Sequence, residues 1–549
     1  MKHVVSVLAI VVMLLVAPRS GASSFLSRDL SFVPPPPLQL PSPSNGRVGI
    51  TSLLYARRQI PRISDNSRSG YDSGLTPSSS RPGSPGSKTT SFSPAQAPAA
   101  TAAASHTITS LIGRSDKVEV LRAIEGLPPQ FLTGATVTAA WDRLAQRTVS
   151  SGPRAPHLPP LHTDRAFLLL LERTRELLLD LSPGHCASIV GNLAKLRYRP
   201  DDSFLTTLLS SCRAREERQT FGQAARLASG LARLDYILEN DELERLARIM
   251  DERMKVMDLD SLHPESLSLG LWSLAVLGKL SEPGMEGLRD GLVKAAIVRL
   301  DAVHMEATAV GLGQGPVLSE GKAKNLVRIC RQLRIALLFL PPPAATAAAS
   351  AGVPAASRCS LYSGSAGSSS STTTTTTLSS LPSSSLSSTE LLRLRINQIW
   401  LDLGAWLDPV RPSRLQTDVE TTLRSNGAFF TREWEDGVVT VDIALHPLPV
   451  PEGSEGEKKE GTVRQPVALE VDGPSHFFVN HPQRPTGDTK IKHQALRLSQ
   501  QWSAIISLPH FEWPRARMGG KQKKPRQQQL ACLRRKVAQT GLEPGDFLV

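Results

Sequence analysis

Val467, Leu469 and Val471 alternate with Ala468 and Glu470 ahead of Asp472-Gly473-Pro474. This pattern predicts a half-buried strand that stops at a tight turn and presents Glu470, Asp472 and His476 together at its end. A second strand is predicted over 437–445, where Asp442 is the one acid in an apolar run. The amphipathic stretch Ala495 to Gln500 and the strand-like run Trp502 to Leu508 follow downstream.

From about Ile108 to Leu340 the apolar period becomes helical and a weak repeat is visible. Ile189 to Leu196, Leu227 to Leu234 and Gly270 to Leu277 each end in Leu-Ala-x-Leu, and Val137 to Leu144 reads as an earlier, degenerate copy. Aligning Leu193, Leu231 and Leu274 gives spacings of about 38 and 43 residues, inside the range of stacked helix pairs. Each copy is followed by a second amphipathic stretch. The clearest carries Leu243, Leu246, Ala247, Met250, Met254 and Met257, a stripe expected in the core. Arg199-Pro200-Asp201, Glu239-Asn240-Asp241 and His263-Pro264-Glu265 supply helix boundaries. Such pairs cannot bury their apolar stripes alone, so an α-solenoid is expected.

Pro341 to Ser388 breaks the pattern with prolines, an Ala run and Ser and Thr tracts, and predicts a flexible linker. A helix from Thr389, carrying Leu391, Leu392, Leu394, Ile396, Ile399 and Trp400, is taken as the start of a second domain.

Composition then narrows the picture. Of 549 residues, long Ser, Thr, Pro, Ala and Gly stretches can bury no core. A net charge of +13 favours a polyanionic partner. Five scattered cysteines without a Cys-x-x-Cys pair argue against a disulfide framework or a structural zinc site. Lys2 and His3 precede an apolar run from Val4 to Val16, which fits a signal peptide cleaved after Ala22 and is short for a membrane span. Ser23 to Ala100 has no Glu and only Asp29, Asp65 and Asp72 as acids, a transit-like composition. Together they predict a plastid reached by signal plus transit peptide, with a mitochondrial matrix protein or a secreted protein as alternatives. No later segment reads as a membrane span. The expected organisation is signal peptide 1–22, disordered transit-like segment 23–105, helical repeats 106–340, disordered linker 341–388 and an α/β domain 389–540.

The order Leu469-Glu-Val-Asp-Gly-Pro-Ser-His-Phe477, then Thr486-Gly487, then Lys and Leu, then an apolar strand and Glu512-Trp513, closely resembles the RAP domain. The resemblance covers roughly 415–540, with an unusual charged insertion between Pro447 and Pro466 and an unusually basic tail. It implies a C-terminal RNA-binding domain of an organellar protein. The repeats are similar to the degenerate helical repeats of FAST-kinase-like and octotricopeptide-like proteins. That similarity would lay RNA along a polar face bearing Lys195, Arg197, Arg226 and Arg233, which are otherwise ordinary solvated charges.

RAP domains look related to the restriction-endonuclease-like fold, which implies a possible acidic centre at Asp442, Glu470 and Asp472 with Lys492 as the cation. Asp442 and Glu470 would then hold Mg2+, which takes oxygen ligands. That fold places its lysine two residues after the Glu, where this chain has Asp472. The simpler alternative has Asp472 capping the turn, Glu470 paired with a Lys or Arg, and His476 packed. The RNA-binding set is His476, Lys490, Lys492, Arg515, Arg517, Lys521, Lys523, Lys524 and Arg526. Phe477, Phe478, Phe511 and Trp513 are candidates for stacking unpaired bases, with Trp513 preferred as core. No Walker loop, kinase catalytic loop or serine elbow is present. The expectation is a non-catalytic RNA-binding factor for organellar transcripts, ribosomal RNA included, requiring no cofactor. A Mg2+-dependent ribonuclease and a ribosome-assembly or protein-interaction scaffold, with ribosomal or RNA-processing proteins as partners, are the alternatives.

Overall fold

The structure, a computed structural model, describes residues 117–127, 131–150, 161–258, 261–309, 320–341, 387–403, 412–435, 438–448, 465–514 and 525–548. The expected signal peptide, the transit-like segment and all but the ends of the linker lie outside these residues. Among the described residues no helix is long and apolar enough to cross a membrane.

The first half is helical: α1 (Lys117–Gly126), α2 (Gly134–Ser150), α3 (Arg165–Leu177), α4 (Pro183–Lys195), α5 (Asp202–Arg213), α6 (Phe221–Arg233), α7 (Asn240–Val256), α8 (Pro264–Val276), α9 (Glu286–Ala309) and α10 (Glu320–Phe339). Local chemistry sets the starts. Ser182 caps α4 with Pro183 at the first turn, Asp201 caps α5, and Thr220 and Gln223 form a capping box on α6. The repeated segments fall on α4, α6 and α8, and the degenerate copy falls on α2.

Helices α2, α4, α6, α8 and α10 pack each against the next, while α3, α5, α7 and α9 each pack on the helix before them. Leu193, Leu231 and Leu274 are fully buried at the shared position. A Cβ on Gly230 would meet Val190 Cγ1 at 2.7 Å, so the small residue in the repeat lets α6 approach α4. Of the methionine stripe, Met250 and Met254 are buried, whereas Met257 lies past the end of α7 and is exposed.

Just after each copy one residue turns left-handed: Arg197 (φ 54°), Asp235 (φ 54°) and Gly278 (φ 81°). Glycine adopts this conformation without penalty, but Arg and Asp do so at a cost of order 1 kcal/mol.

Helix α11 (Ser388–Leu403) corrects the expected domain boundary at 389. Its Leu392, Ile396 and Ile399 are buried in the same core as the repeats, and it packs on α9 and α10. The apolar face that marked it as a docking helix is satisfied by the helical region. The α/β domain begins instead with α12 (Arg414–Ser425), capped by Ser413. It continues through β1 (Phe429–Glu435), β2 (Thr440–His446), β3 (Val467–Asp472), the short pair β4 (Phe477–Phe478) and β5 (His481–Pro485), α13 (Gly487–Ser499), β6 (Ala504–Pro509) and α14 (Pro525–Ala538). It also runs past the expected end at 540, because Phe547 and Leu548 are buried in its core.

The sheet order is β1-β2-β3-β6, with β3 antiparallel to β2 and parallel to β6. One face carries Leu469, Val471 and Ile506 against Val419 of α12 and Leu533 of α14. The other carries Ala444 and Ala468 against Ala495 and Leu496 of α13, with Ile335, Leu338 and Phe339 of α10 packed on the same cluster. Strand β3 is therefore buried at every residue, not half-buried as its alternation predicts. A central strand covered on both faces has no solvent side.

The α/β domain is docked on the helical region. Phe478, only 1% exposed, and Ile491 belong to the helical core cluster. Phe478→Ala is expected to cost about 3–5 kcal/mol. Urea unfolding of the full chain checks this, together with protease sensitivity, which should rise at the junction.

Candidate functional site

Because side chains two apart on a strand share a face, Glu470 and Asp472 both point away from Leu469 and Val471, toward α13. Helix α13 answers them with Lys492 and His493. Lys492 Nζ donates to Glu470 Oε2. His493 Nε2 lies 3.6 Å from Asp472 Oδ2. Ser507, on the neighbouring parallel strand, donates its hydroxyl to Asp472 Oδ2, and His476 Nδ1 lies 2.9 Å from Asp472 Oδ1. From β2, Asp442 Oδ2 accepts the backbone N–H of Val471 at 2.8 Å.

The two buried carboxylates titrate in opposite directions. Burial dominates at Glu470, which is 0% exposed, and with the Asp442 charge it pushes the acid up to about 7 against the pull of Lys492. At Asp472 burial also raises, but the His476 and Ser507 hydrogen bonds and the His493 charge together hold the acid below its ordinary value. Burial would discharge Lys492, yet Glu470 and Asp442 outweigh it and hold the ammonium above its usual range. Burial lowers His493 despite Asp472 beside it, favouring the neutral imidazole.

The structure thus brings Asp442, Glu470, Asp472, Lys492 and His476 into one cluster. Lys490 goes elsewhere. Its ammonium sits 2.7 Å from Asp235 Oδ2 of the helical region. Arg526 is exposed at the start of α14, while Arg515, Arg517, Lys521, Lys523 and Lys524 lie outside the described residues. Phe477, Phe478 and Trp513 are buried, which removes them as stacking surfaces, and Phe511 at 45% exposed remains open. Burial follows from position: Phe478 fills the junction and Trp513 closes the sheet core.

For Mg2+ at Asp442 and Glu470, one oxygen of each is already engaged, by the Val471 amide and by Lys492. Glu470 Oε1 is buried and has no hydrogen-bond partner among the described residues. An ion at this pair would have to use the other oxygen of each carboxylate.

Sequence reasoning missed the junction. Asp235 Oδ2 accepts from Arg484 Nε at 3.1 Å and Nη2 at 2.7 Å. Arg197 accepts the Val479 amide on its carbonyl at 2.9 Å and donates Nη1 to the Pro474 carbonyl at 3.2 Å. Asn480 clasps the backbone of Arg199, accepting its N–H at 3.1 Å and donating to its carbonyl at 2.7 Å. The two strained left-handed residues of the repeats are thus among those that hold the α/β domain. The local signal was available: the position after Leu-Ala-x-Leu is Gly in one copy and charged in the other two.

His493 and Ser507 were also missed, since neither lies in the Glu-x-Asp-Gly run. Lys195 and Arg226, by contrast, are exposed where a polar face was expected. Although its surface is open, the packed helices around Lys195 partly desolvate it, and this, with the positive charges of Arg226, Arg233 and Arg328, lowers it against the raising effect of Asp142. The charges of arginines on α6 and α10 therefore reach Lys195 on α4. Arg233 is partly committed, 3.4 Å from Asp488 and 5.3 Å from the Trp272 ring centroid.

Residues 469–525 match the model of the RAP domain. No curated protein matches the chain. The match begins within β3, spans the Glu-x-Asp-Gly turn, the docking residues and α13, and ends at the first residue of α14.

Proposed function

We propose that this protein, whose C-terminal half carries a RAP domain, binds single-stranded RNA of an organelle and acts in the processing, stability or translation of its transcripts, ribosomal RNA included. The observation that carries the reading is the RAP-domain match, since that family is associated with RNA binding. The row of packed helices supports an α-solenoid reading, and its exposed Lys195 and Arg226 supply charge for a phosphate backbone. Adjacent Asp442 and Glu470 on neighbouring strands support a restriction-endonuclease-like reading of the sheet domain. The basic composition of the tail adds positive charge in the sequence that suits a polyanion, and the N-terminal composition supports a plastid destination, with the mitochondrial matrix as the other.

A second reading, a metal-dependent ribonuclease, draws on one observation: Lys492 sits on Glu470, supplying from α13 the cation that the strand itself lacks. In that reading a bound divalent ion supplies a Lewis acid at the phosphate, while Lys492 and His493 hold charge and position at the carboxylates.

One experiment separates the two. Full-length protein is titrated against labelled single-stranded organellar RNA over a salt series, with Mg2+, with Mn2+ and with chelator. Wild type should bind with steep salt dependence and leave the RNA intact. Lys195→Ala with Arg226→Ala should reduce the slope of log K against log salt by about 1.4, roughly 0.7 for each lost phosphate contact. Metal-dependent cleavage would replace the binding reading with the nuclease one. An unchanged slope would remove RNA from this face.

A further inference from the structure

Three donor groups meet beneath α13 in a way that the Lys492 to Glu470 ion pair leaves unused. One donor atom from each of Glu470, Asp472 and His493 lies within 4.8 Å of those of the other two. Glu470 is fully buried, and its Oε1 has no hydrogen-bond partner among the described residues. The His493 Nε2 atom likewise makes no hydrogen bond there, although its ring is only 15% exposed. A buried carboxylate oxygen without a hydrogen bond, beside an imidazole nitrogen that also makes none, is costly unless something binds both.

We infer that Glu470, Asp472 and His493 form a binding site for one divalent first-row transition-metal ion, of the Mn2+ to Zn2+ class. The donor set decides the class. Two carboxylates and one imidazole nitrogen suit these ions, whereas Mg2+ prefers an all-oxygen shell and retains its waters. Charge agrees, because the acidic side chains Asp442, Glu470 and Asp472 face the single Lys492 ammonium, an excess that a divalent ion offsets.

The surrounding groups are those that orient metal ligands. Ser507 and His476 hold the Asp472 carboxylate, and Lys492 holds the far oxygen of Glu470. The donors must close by roughly 1 Å to reach bond lengths near 2.1 Å, a side-chain adjustment. Two ligands come from β3 and one from α13, so the ion would tie the helix to the central strand. This set differs from the Asp442 and Glu470 pair, because it takes its nitrogen from a helix and leaves Asp442 on the Val471 amide.

The test is direct binding to the full-length protein after stripping with chelator. Free Mn2+ is followed by electron paramagnetic resonance, with Zn2+ and Mg2+ as competitors. One Mn2+ per chain is expected, displaced by equimolar Zn2+ and not by equimolar Mg2+. His493→Ala and the bulkier His493→Gln, each confirmed folded by circular dichroism, should both weaken binding at least about tenfold. Absence of Mn2+ and Zn2+ binding by folded wild type overturns the assignment. So does binding that survives both His493 variants, or that Asp442→Asn abolishes while they do not.

Discussion

Gly487→Ala separates the α/β domain from the helical region. Gly487 opens α13 at the position after its Thr486 cap, and an added Cβ would overlap the carbonyl oxygen of Ala232 and lie 2.7 Å from Arg233 Cα. Both obstacles are backbone at the end of α6, so no side-chain rotation relieves them. The clash forces the junction apart and loosens the Asp235 contacts with Arg484 and Lys490 together with the seat of Phe478. A loss of about 3 kcal/mol is expected, at the upper end for overpacking. Denaturant unfolding should show it, with the single transition dividing into two. A variant that unfolds in one step at the wild-type midpoint would show that the junction yields easily.

Lys492→Met is expected to be strongly destabilising above neutrality and less so in mild acid. With its partner removed, ionised Glu470 is an uncompensated buried charge, and breaking such a pair costs about 3–5 kcal/mol. The pH dependence follows from Glu470 itself. Its folded-state value of about 7 lies above the ordinary carboxylate value of 4.5, so the folded state holds the proton more tightly than the unfolded chain. Its contribution to stability is fully present below about 4.5, is lost as pH rises toward 7, and stays lost above that. Removing Lys492 raises the folded value further and extends the loss to higher pH. The part of the difference in destabilisation between pH 8 and pH 5 that comes from Glu470 should approach about 1.4 kcal/mol, one pH unit above its wild-type value of about 7. Chemical denaturation of wild type and variant at both values measures it, and a pH-independent difference would mean that Glu470 is ionised throughout. His493 works the other way in wild type. Its lowered value favours the folded state above 6.5 and weakens that preference as pH falls, and because the Lys492 charge is one of its causes, Lys492→Met relaxes this shift as well.

Local periodicity and short motifs carried the elements that rest on neighbours in sequence. The Leu-Ala-x-Leu segments marked α4, α6 and α8, because a helix stripe is written in steps of three and four. The Val467 to Asp472 run marked β3, and the Glu-x-Asp-Gly order pointed to the family that the match at 469–525 supports. Strand β1 and helices α12 and α14 were not anticipated, although Ser413 ahead of Gln416 is a readable helix cap.

What sequence alone determined, then, is the helical first half, the strand with its acidic turn, and the identity of Glu470 and Asp472 as groups requiring partners. Tertiary structure alone decided who those partners are. Lys492 and His493 reach them only because α13 crosses the face of the central strand, and Ser507 only because β6 runs parallel beside it. Likewise Asp235 meets Arg484 across about 250 residues, a pairing no local pattern records. The physical reason is shared: helix and strand propensities act over a few residues, whereas the burial that makes a carboxylate demand a cation arises only when distant segments pack.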